Sequence, residues 1–190
     1  MMKTSRVPGL MVLMLLLALC AGRAYSQDKK QAVQNPSPRE IDAAKEHSKG
    51  TEQMLAQKYK EAIVFFRRAI DLNPDFSEAY YNLGISYEKL EKHEDSVEAL
   101  KKSIQLTPDN ANAHYALGYA YCRLRRYKDA IAALERSLDL KPDNAFARAK
   151  LGSAYLAMGN KDKAQEQYQL LKTLNAAMAD DLHREIEKKK

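Results

Sequence analysis

The chain has 190 residues, 45% of them hydrophobic, with no Trp, seven Gly and a formal net charge of +6. Rich in Ala, Leu, Lys and Glu, it has the composition of a soluble helical protein of one domain with some tail. Lys3, Arg6 and Arg23 account for half of that charge, and residues 27–190 hold 28 basic against 25 acidic side chains, which gives no electrostatic warrant for nucleic-acid binding.

Residues 1–26 read as a secretory signal: Lys3 and Arg6 precede an acid-free apolar run from Leu10 to Ala21. The run is about a dozen residues, well short of the roughly 20 that span a bilayer core, so no membrane span is expected after cleavage. Ala24-Tyr25-Ser26 supplies small residues for a peptidase, with the cut expected before Gln27. Leu17-Ala18-Leu19-Cys20 is similar to a bacterial lipoprotein box, but Leu19 stands where Gly, Ala or Ser is needed, which disfavours lipid anchoring at Cys20. An uncleaved signal anchor is the remaining reading. Once Cys20 has left with the leader, Cys122 is the only thiol and no intramolecular disulfide can form. The leader resembles a bacterial one and implies a periplasmic or secreted protein.

Residues 27–37 are polar, lack an apolar period and end in Asn-Pro-Ser-Pro through Pro38, so a flexible tether is expected. Ser37 as cap, Pro38 in the first turn and Glu40 three residues beyond the cap then open a helix expected over 38–56.

Beyond this point residue types recur. Pro74, Pro108 and Pro142 stand 34 residues apart, as do Gly50, Gly84, Gly118 and Gly152. A fixed period of this length signals a solenoid. The glycines let two helices approach closely, and Ala62, Ser96, Ala130 and Ala164 keep the facing helix small. Leu83, Leu117 and Leu151, with Tyr87, Tyr121 and Tyr155, then meet Phe66, Leu100, Leu134 and Tyr168 at helical spacing. Leu72, Leu106, Leu140 and Leu174 should end the second helices, with proline stopping them and Asp or Asn capping the next.

These columns resemble the tetratricopeptide repeat from about Ala43 to Ala176. The resemblance implies an all-α, right-handed superhelical solenoid of four helix-turn-helix repeats, at 38–76, 77–110, 111–144 and 145–177, closed by a C-terminal capping helix and charged tail at 178–190. Some positions depart from the pattern. The aromatic four residues before the glycine is Tyr80 in one unit but Glu46, His114 and Arg148 in the others, and Lys49 and Gln53 replace Leu and Tyr in the first. Ala176 replaces proline, and Leu171 stands where Ala69, Ser103 and Ser137 are small, so the last second helix is expected to run on or shift. In the cap, Met178, Leu182 and Ile186 share a stripe, while Asp180, Asp181, His183, Arg184 and Glu185 should face solvent.

First helices of this family line a concave groove where a ligand lies. Projection places His47, Thr51, Met54 and Leu55 on that face in the first unit, and Glu78, Tyr81, Ile85, Glu88 and Lys89 in the second. The third contributes Asn112, Tyr115, Tyr119, Cys122 and Arg123, and the fourth Phe146, Ala149, Ser153, Leu156 and Ala157. The candidate peptide-binding residues are Tyr81, Ile85, Glu88, Lys89, Tyr115, Tyr119, Cys122, Arg123 and Phe146, since tyrosine offers a large contact area at low entropy cost. The alternative is that these side chains only pack on neighbouring units. The carboxylate clamp that grips acidic chaperone tails is absent: Asn82 is in place, but His47, Thr51, Asn112 and Ala116 fill its other positions. An asparagine ladder of the kind in glycosyltransferase repeats fails likewise at Ala116 and Lys150.

His47, His93, His114 and His183 are scattered, with no HExxH, no cysteine pair, no phosphate loop and no nucleophile motif. No catalytic residue, metal or cofactor is expected. The sequence therefore points to an exported, non-enzymatic adaptor binding a peptide or helix of a cell-envelope protein. A self-assembling structural subunit, forming a homo-oligomer, is the second reading. A thiol-based redox protein is the third, in which Arg123, Arg125 and Arg126 lower the Cys122 pKa.

Overall fold

A computed structural model describes residues 36–188. The expected signal peptide, its cut site, Cys20, nearly all of the tether and the last two lysines lie outside the described residues. The chain divides into two units, 1–41 and 42–190. Of the first, only the opening of a helix is described: Ser37 N donates to Glu40 Oε2 at 2.7 Å and Glu40 N donates to Ser37 Oγ at 3.3 Å. This is the reciprocal capping box expected of Ser37 and Glu40, and its bonds hold the Glu40 carboxyl below the usual carboxylate range.

Among the described residues every regular element is an α-helix: α1 (Pro38–Leu55), α2 (Tyr59–Leu72), α3 (Ser77–Lys89), α4 (His93–Leu106), α5 (Ala111–Arg123), α6 (Tyr127–Leu140), α7 (Ala145–Ala157), α8 (Lys161–Leu174) and α9 (Ala176–Glu187). No described helix is long and apolar enough to cross a membrane. Leu72, Leu106, Leu140 and Leu174 are each the last residue of a helix, as the leucine column requires. Without a proline at Ala176, α8 still stops at Leu174, so the expected run-on does not occur. Asn175 turns the chain instead, its side chain accepting from Met178 N at 3.1 Å to cap α9.

Asparagine, not aspartate, caps two of the other three long turns, while the helix after Phe76 has no side-chain cap. Asn110 Oδ1 accepts from Asn112 N and Ala113 N, and Asn144 Oδ1 from Ala147 N, all at 3.1 Å. Within each hairpin the turn is left-handed at one residue, Gln57, Glu91, Arg125 or Gly159, with φ of 59°, 58°, 57° and 77°. The following N–H then reaches back to the previous helix, as Arg126 N does to Tyr121 O and Asn160 N to Tyr155 O at 2.9 Å. Both features are those of a Schellman-type ending.

The core is built between successive hairpins. Phe66 and Ala62 of α2 pack with Leu83 and Tyr87 of α3 and Ala99 of α4. Leu100 and Val97 of α4 join Leu117, Ala120 and Tyr121 of α5 and Ala130 and Ala133 of α6. Leu134 and Leu138 of α6 meet Leu151 and Tyr155 of α7, Leu171 of α8, and Leu182 and Ile186 of α9. Such chained clusters make each hairpin depend on its neighbours. Small residues at the end of the second helices carry hydrogen bonds: Ser77 Oγ donates to Ser103 O at 3.1 Å and Ser137 Oγ to Ala111 O at 2.8 Å.

The last hairpin departs from the expected columns. Tyr168 does not fill the space over Gly152; Leu182 of α9 does, and Tyr168 instead stacks on His183 with ring centroids 4.9 Å apart. His183 therefore is not a solvent-facing residue. Glu185 accepts a hydrogen bond from Ser153 Oγ at 2.7 Å, which ties α9 to α7.

Candidate functional site

A 13-residue first helix sets the spacing of the candidate site: positions four apart, such as Tyr81 and Ile85 on α3 or Tyr115 and Tyr119 on α5, fall on one face. Consecutive hairpins bring these two faces together. They line a groove of about 450 Å³ whose walls are Tyr81, Ile85, Glu88, Lys89, Tyr115, Ala116, Tyr119 and Arg123, together with Glu91. Ser96 and Leu100 of α4 also line it, and since both are fully buried they form its floor.

The walls are aromatic and half-buried. The Tyr115 and Tyr119 rings lie 6.5 Å apart and tilted at 51°, and Lys150 Nζ of α7 sits 5.3 Å from the Tyr119 ring centre. Such a cation over an aromatic face is electrostatically favourable. Burial pushes the Tyr81 and Tyr115 phenols up, Tyr115 further because Tyr119, Cys122 and Tyr81 surround it, so both are neutral hydroxyls at ordinary pH. Three of the four charged lining residues, Lys89, Glu91 and Arg123, are exposed at the rim, and Glu88 is partly buried. Glu88 Oε2 pairs with His93 Nδ1 at 2.8 Å, Arg123 reaches Glu91 at 3.5 Å, and Lys89 is exposed.

Of the candidate residues, Tyr81, Ile85, Glu88, Lys89, Tyr115, Tyr119 and Arg123 thus meet in one groove. Cys122 and Phe146 do not line it. Cys122 is packed between the two larger core clusters, and Phe146 is 61% exposed on α7. Burial pushes the Cys122 thiol up; Lys150 opposes this only in part. Two of the three arginines expected to lower it are engaged elsewhere, Arg126 with Asp129 at 2.7 Å and with the Tyr121 ring at 4.6 Å, and Arg123 with Glu91. The expected activated thiolate is therefore corrected to a protonated, half-buried thiol.

Other inward-facing expectations also change. His47 contacts the Phe66 and Phe76 rings at 5.5 and 4.8 Å, and Asn82 Nδ2 donates to its Nε2 at 2.9 Å, so both are partners across the first two hairpins rather than groove residues. Leu156 is core. Glu91, Ser96, Leu100 and Ala116 were missed as lining residues. Ser96 carried a signal, being the one hydroxyl in a column otherwise of alanines. Among the described residues no three or more His, Cys, Asp or Glu side chains gather to hold a metal ion.

Fold and groove together define an all-α scaffold of stacked helical hairpins with a groove between first helices. Family profiles described as tetratricopeptide repeat match residues 85–145 and 123–183, and one described as TPR repeat matches 52–91. The chain belongs to the tetratricopeptide-repeat family. It is similar to a crystal structure of MamA at 26% identity, over 74% of this chain and 93% of that one, with a TM-score of 0.65. A second MamA structure, MSR-1 C2, is 28% identical over 78% of this chain and 85% of that one, with a TM-score of 0.69. YrrB, described as a TPR protein with an unusual peptide-binding site, shares the fold at 19% identity over 85% of this chain and 91% of its own, with a TM-score of 0.68. Comparison with curated proteins gives no match.

Proposed function

We propose that this chain is an exported, non-enzymatic adaptor that holds an extended segment or a helix of another cell-envelope protein in the groove between α3 and α5. One observation carries the reading: Tyr81, Ile85, Tyr115 and Tyr119 line a single groove of about 450 Å³, with the exposed charges Lys89, Glu91 and Arg123 beside them. Burial of ring surface drives association, at roughly 25 cal/mol per Å² of apolar area removed from water. Rim charges orient the partner: Lys89 is open to an acid, while the Glu88–His93 and Glu91–Arg123 pairs must be matched or displaced. The groove is not a carboxylate clamp, and Asn82, the one clamp residue present, is engaged with His47. Export, to a periplasm or outside the cell, rests on the leader at residues 1–26.

The test is affinity capture from the native envelope with residues 27–190, beside a Tyr119→Ala/Lys89→Ala variant that spares the core. A protein retained by the first and lost from the second supports the adaptor. Equal recovery from both contradicts it. Self-association is the second reading, favoured by the exposed Leu55 and Val64 of the first hairpin, 77% and 47% accessible; it requires a mass that rises with concentration.

A further inference from the structure

Ser96 is the feature that packing does not explain. It is fully buried, it lines the groove, and its Oγ has no hydrogen-bond partner among the described residues. The equivalent positions in the other hairpins are Ala62, Ala130 and Ala164, each likewise fully buried, so the fold asks only for a small side chain here. Buried serines elsewhere are bonded: Ser86 Oγ donates to Asn82 O at 2.8 Å and Ser137 Oγ to Ala111 O at 2.8 Å. An unpaired buried hydroxyl is destabilising, and a native structure that keeps one calls for a reason.

We propose that Ser96 is the anchor of a built subsite that takes one aromatic side chain with a hydrogen-bonding tip, a tyrosine or tryptophan of the partner, between Tyr81, Ile85 and Tyr115. The inference rests on the groove reading above and names what enters it. Tyrosine rings and Ile85 form walls suited to a ring, which packs on aromatic neighbours in tilted or offset geometry. Leu100 and Ser96 are fully buried while the wall residues are half-buried, so the entering ring reaches Ser96 by parting Tyr81, Ile85 and Tyr115. The chemistry of the tip follows from what the floor offers. It holds one neutral hydroxyl and no charged side chain, so a charged tip would be left uncompensated. A wholly apolar tip would leave Ser96 unpaired. A phenol or indole satisfies both conditions, donating its O–H or N–H to Ser96 Oγ.

The experiment is a cycle with p-cresol, the tyrosine side-chain analogue, and toluene, its counterpart without the hydroxyl. Both are titrated by ligand-observed saturation-transfer NMR against the protein recovered from its native host, against Ser96→Ala and against Ile85→Trp. Alanine at the three equivalent positions makes Ser96→Ala compatible with the fold, and its melting temperature should equal or exceed the parent's. The expected result is that Ser96→Ala weakens p-cresol about 3- to 10-fold, the worth of one hydrogen bond, and leaves toluene unchanged. Ile85→Trp, which fills the groove, should abolish both. Equal effects of Ser96→Ala on the two ligands, no effect on either, or binding that survives Ile85→Trp would overturn the subsite. If the cycle fails while envelope capture still depends on Tyr119 and Lys89, the adaptor stands and only the aromatic anchor falls.

Discussion

Leu182 on α9 stands over Gly152 on α7: a Cβ placed on the glycine would lie 2.5 Å from Leu182 Cδ2. In the earlier hairpins the same space over Gly50, Gly84 and Gly118 is filled from within, by Phe66, Leu100 and Leu134. The final helix is thus part of the last hairpin's core. Leu182→Ala should lose about 2–5 kcal/mol of stability through lost burial and a residual cavity, whereas Tyr168→Ala, at a half-buried ring, should lose less. Urea denaturation of the two variants decides; the reverse order would place the fourth core residue back on α8.

Gly159 is the only glycine among the left-handed turn residues, with φ of +77°, and a methyl group added there would meet nothing within 4 Å. Space is not the constraint at this turn; backbone conformation is. Gly159→Ala should cost about 1 kcal/mol, since a left-handed residue with a Cβ is strained by roughly that much. A neutral result in thermal melts would mean the turn can re-form with another geometry.

His47 gives stability a pH dependence. Burial between Phe66 and Phe76 lowers its pKa from 6.5, with Glu78 pulling the other way, so the fold prefers the neutral ring that accepts from Asn82. The unfolded chain binds the proton first on acidification. Stability from this group is therefore complete above about pH 6.5 and is lost as pH falls through the depressed folded value. Melting temperature should drop more between pH 7.5 and 5.5 for the parent than for His47→Gln, whose amide oxygen can still accept from Asn82. Identical drops would remove His47 as the cause.

Cys122 should react slowly. Its thiol is half-buried and pushed up, so at pH 7.4 alkylation by iodoacetamide is expected to run slower than that of glutathione. Rapid alkylation would restore the redox reading.

What the sequence disclosed and what it withheld have physical causes. Helix ends were legible because Leu72, Leu106, Leu140 and Leu174 precede residues that cannot continue or must turn, and the glycine column was legible because two backbones meet there. The groove residues Tyr81, Ile85, Tyr115 and Tyr119 followed from spacing along a helix of known inner face. Residues whose partners lie on another element were not legible. His47 looked inward by projection but is held by Phe76 and Asn82 of the next hairpin. Tyr168 fits its column in type, yet α9 brings Leu182 into its place. Cys122 has arginines beside it in sequence, while side chains at adjacent helical positions point apart, and Arg126 faces Asp129 and Tyr121 instead.

The most direct measurement of the central claim is site-specific photocrosslinking in the native envelope, with p-benzoylphenylalanine placed at Lys89 on the groove rim and, separately, at Glu98 on the exposed face of α4. The adaptor account predicts one discrete heavier adduct from the Lys89 position and none from Glu98. Adducts of equal yield from both positions, or only a self-adduct at twice the subunit mass, would contradict groove-based recognition of another protein.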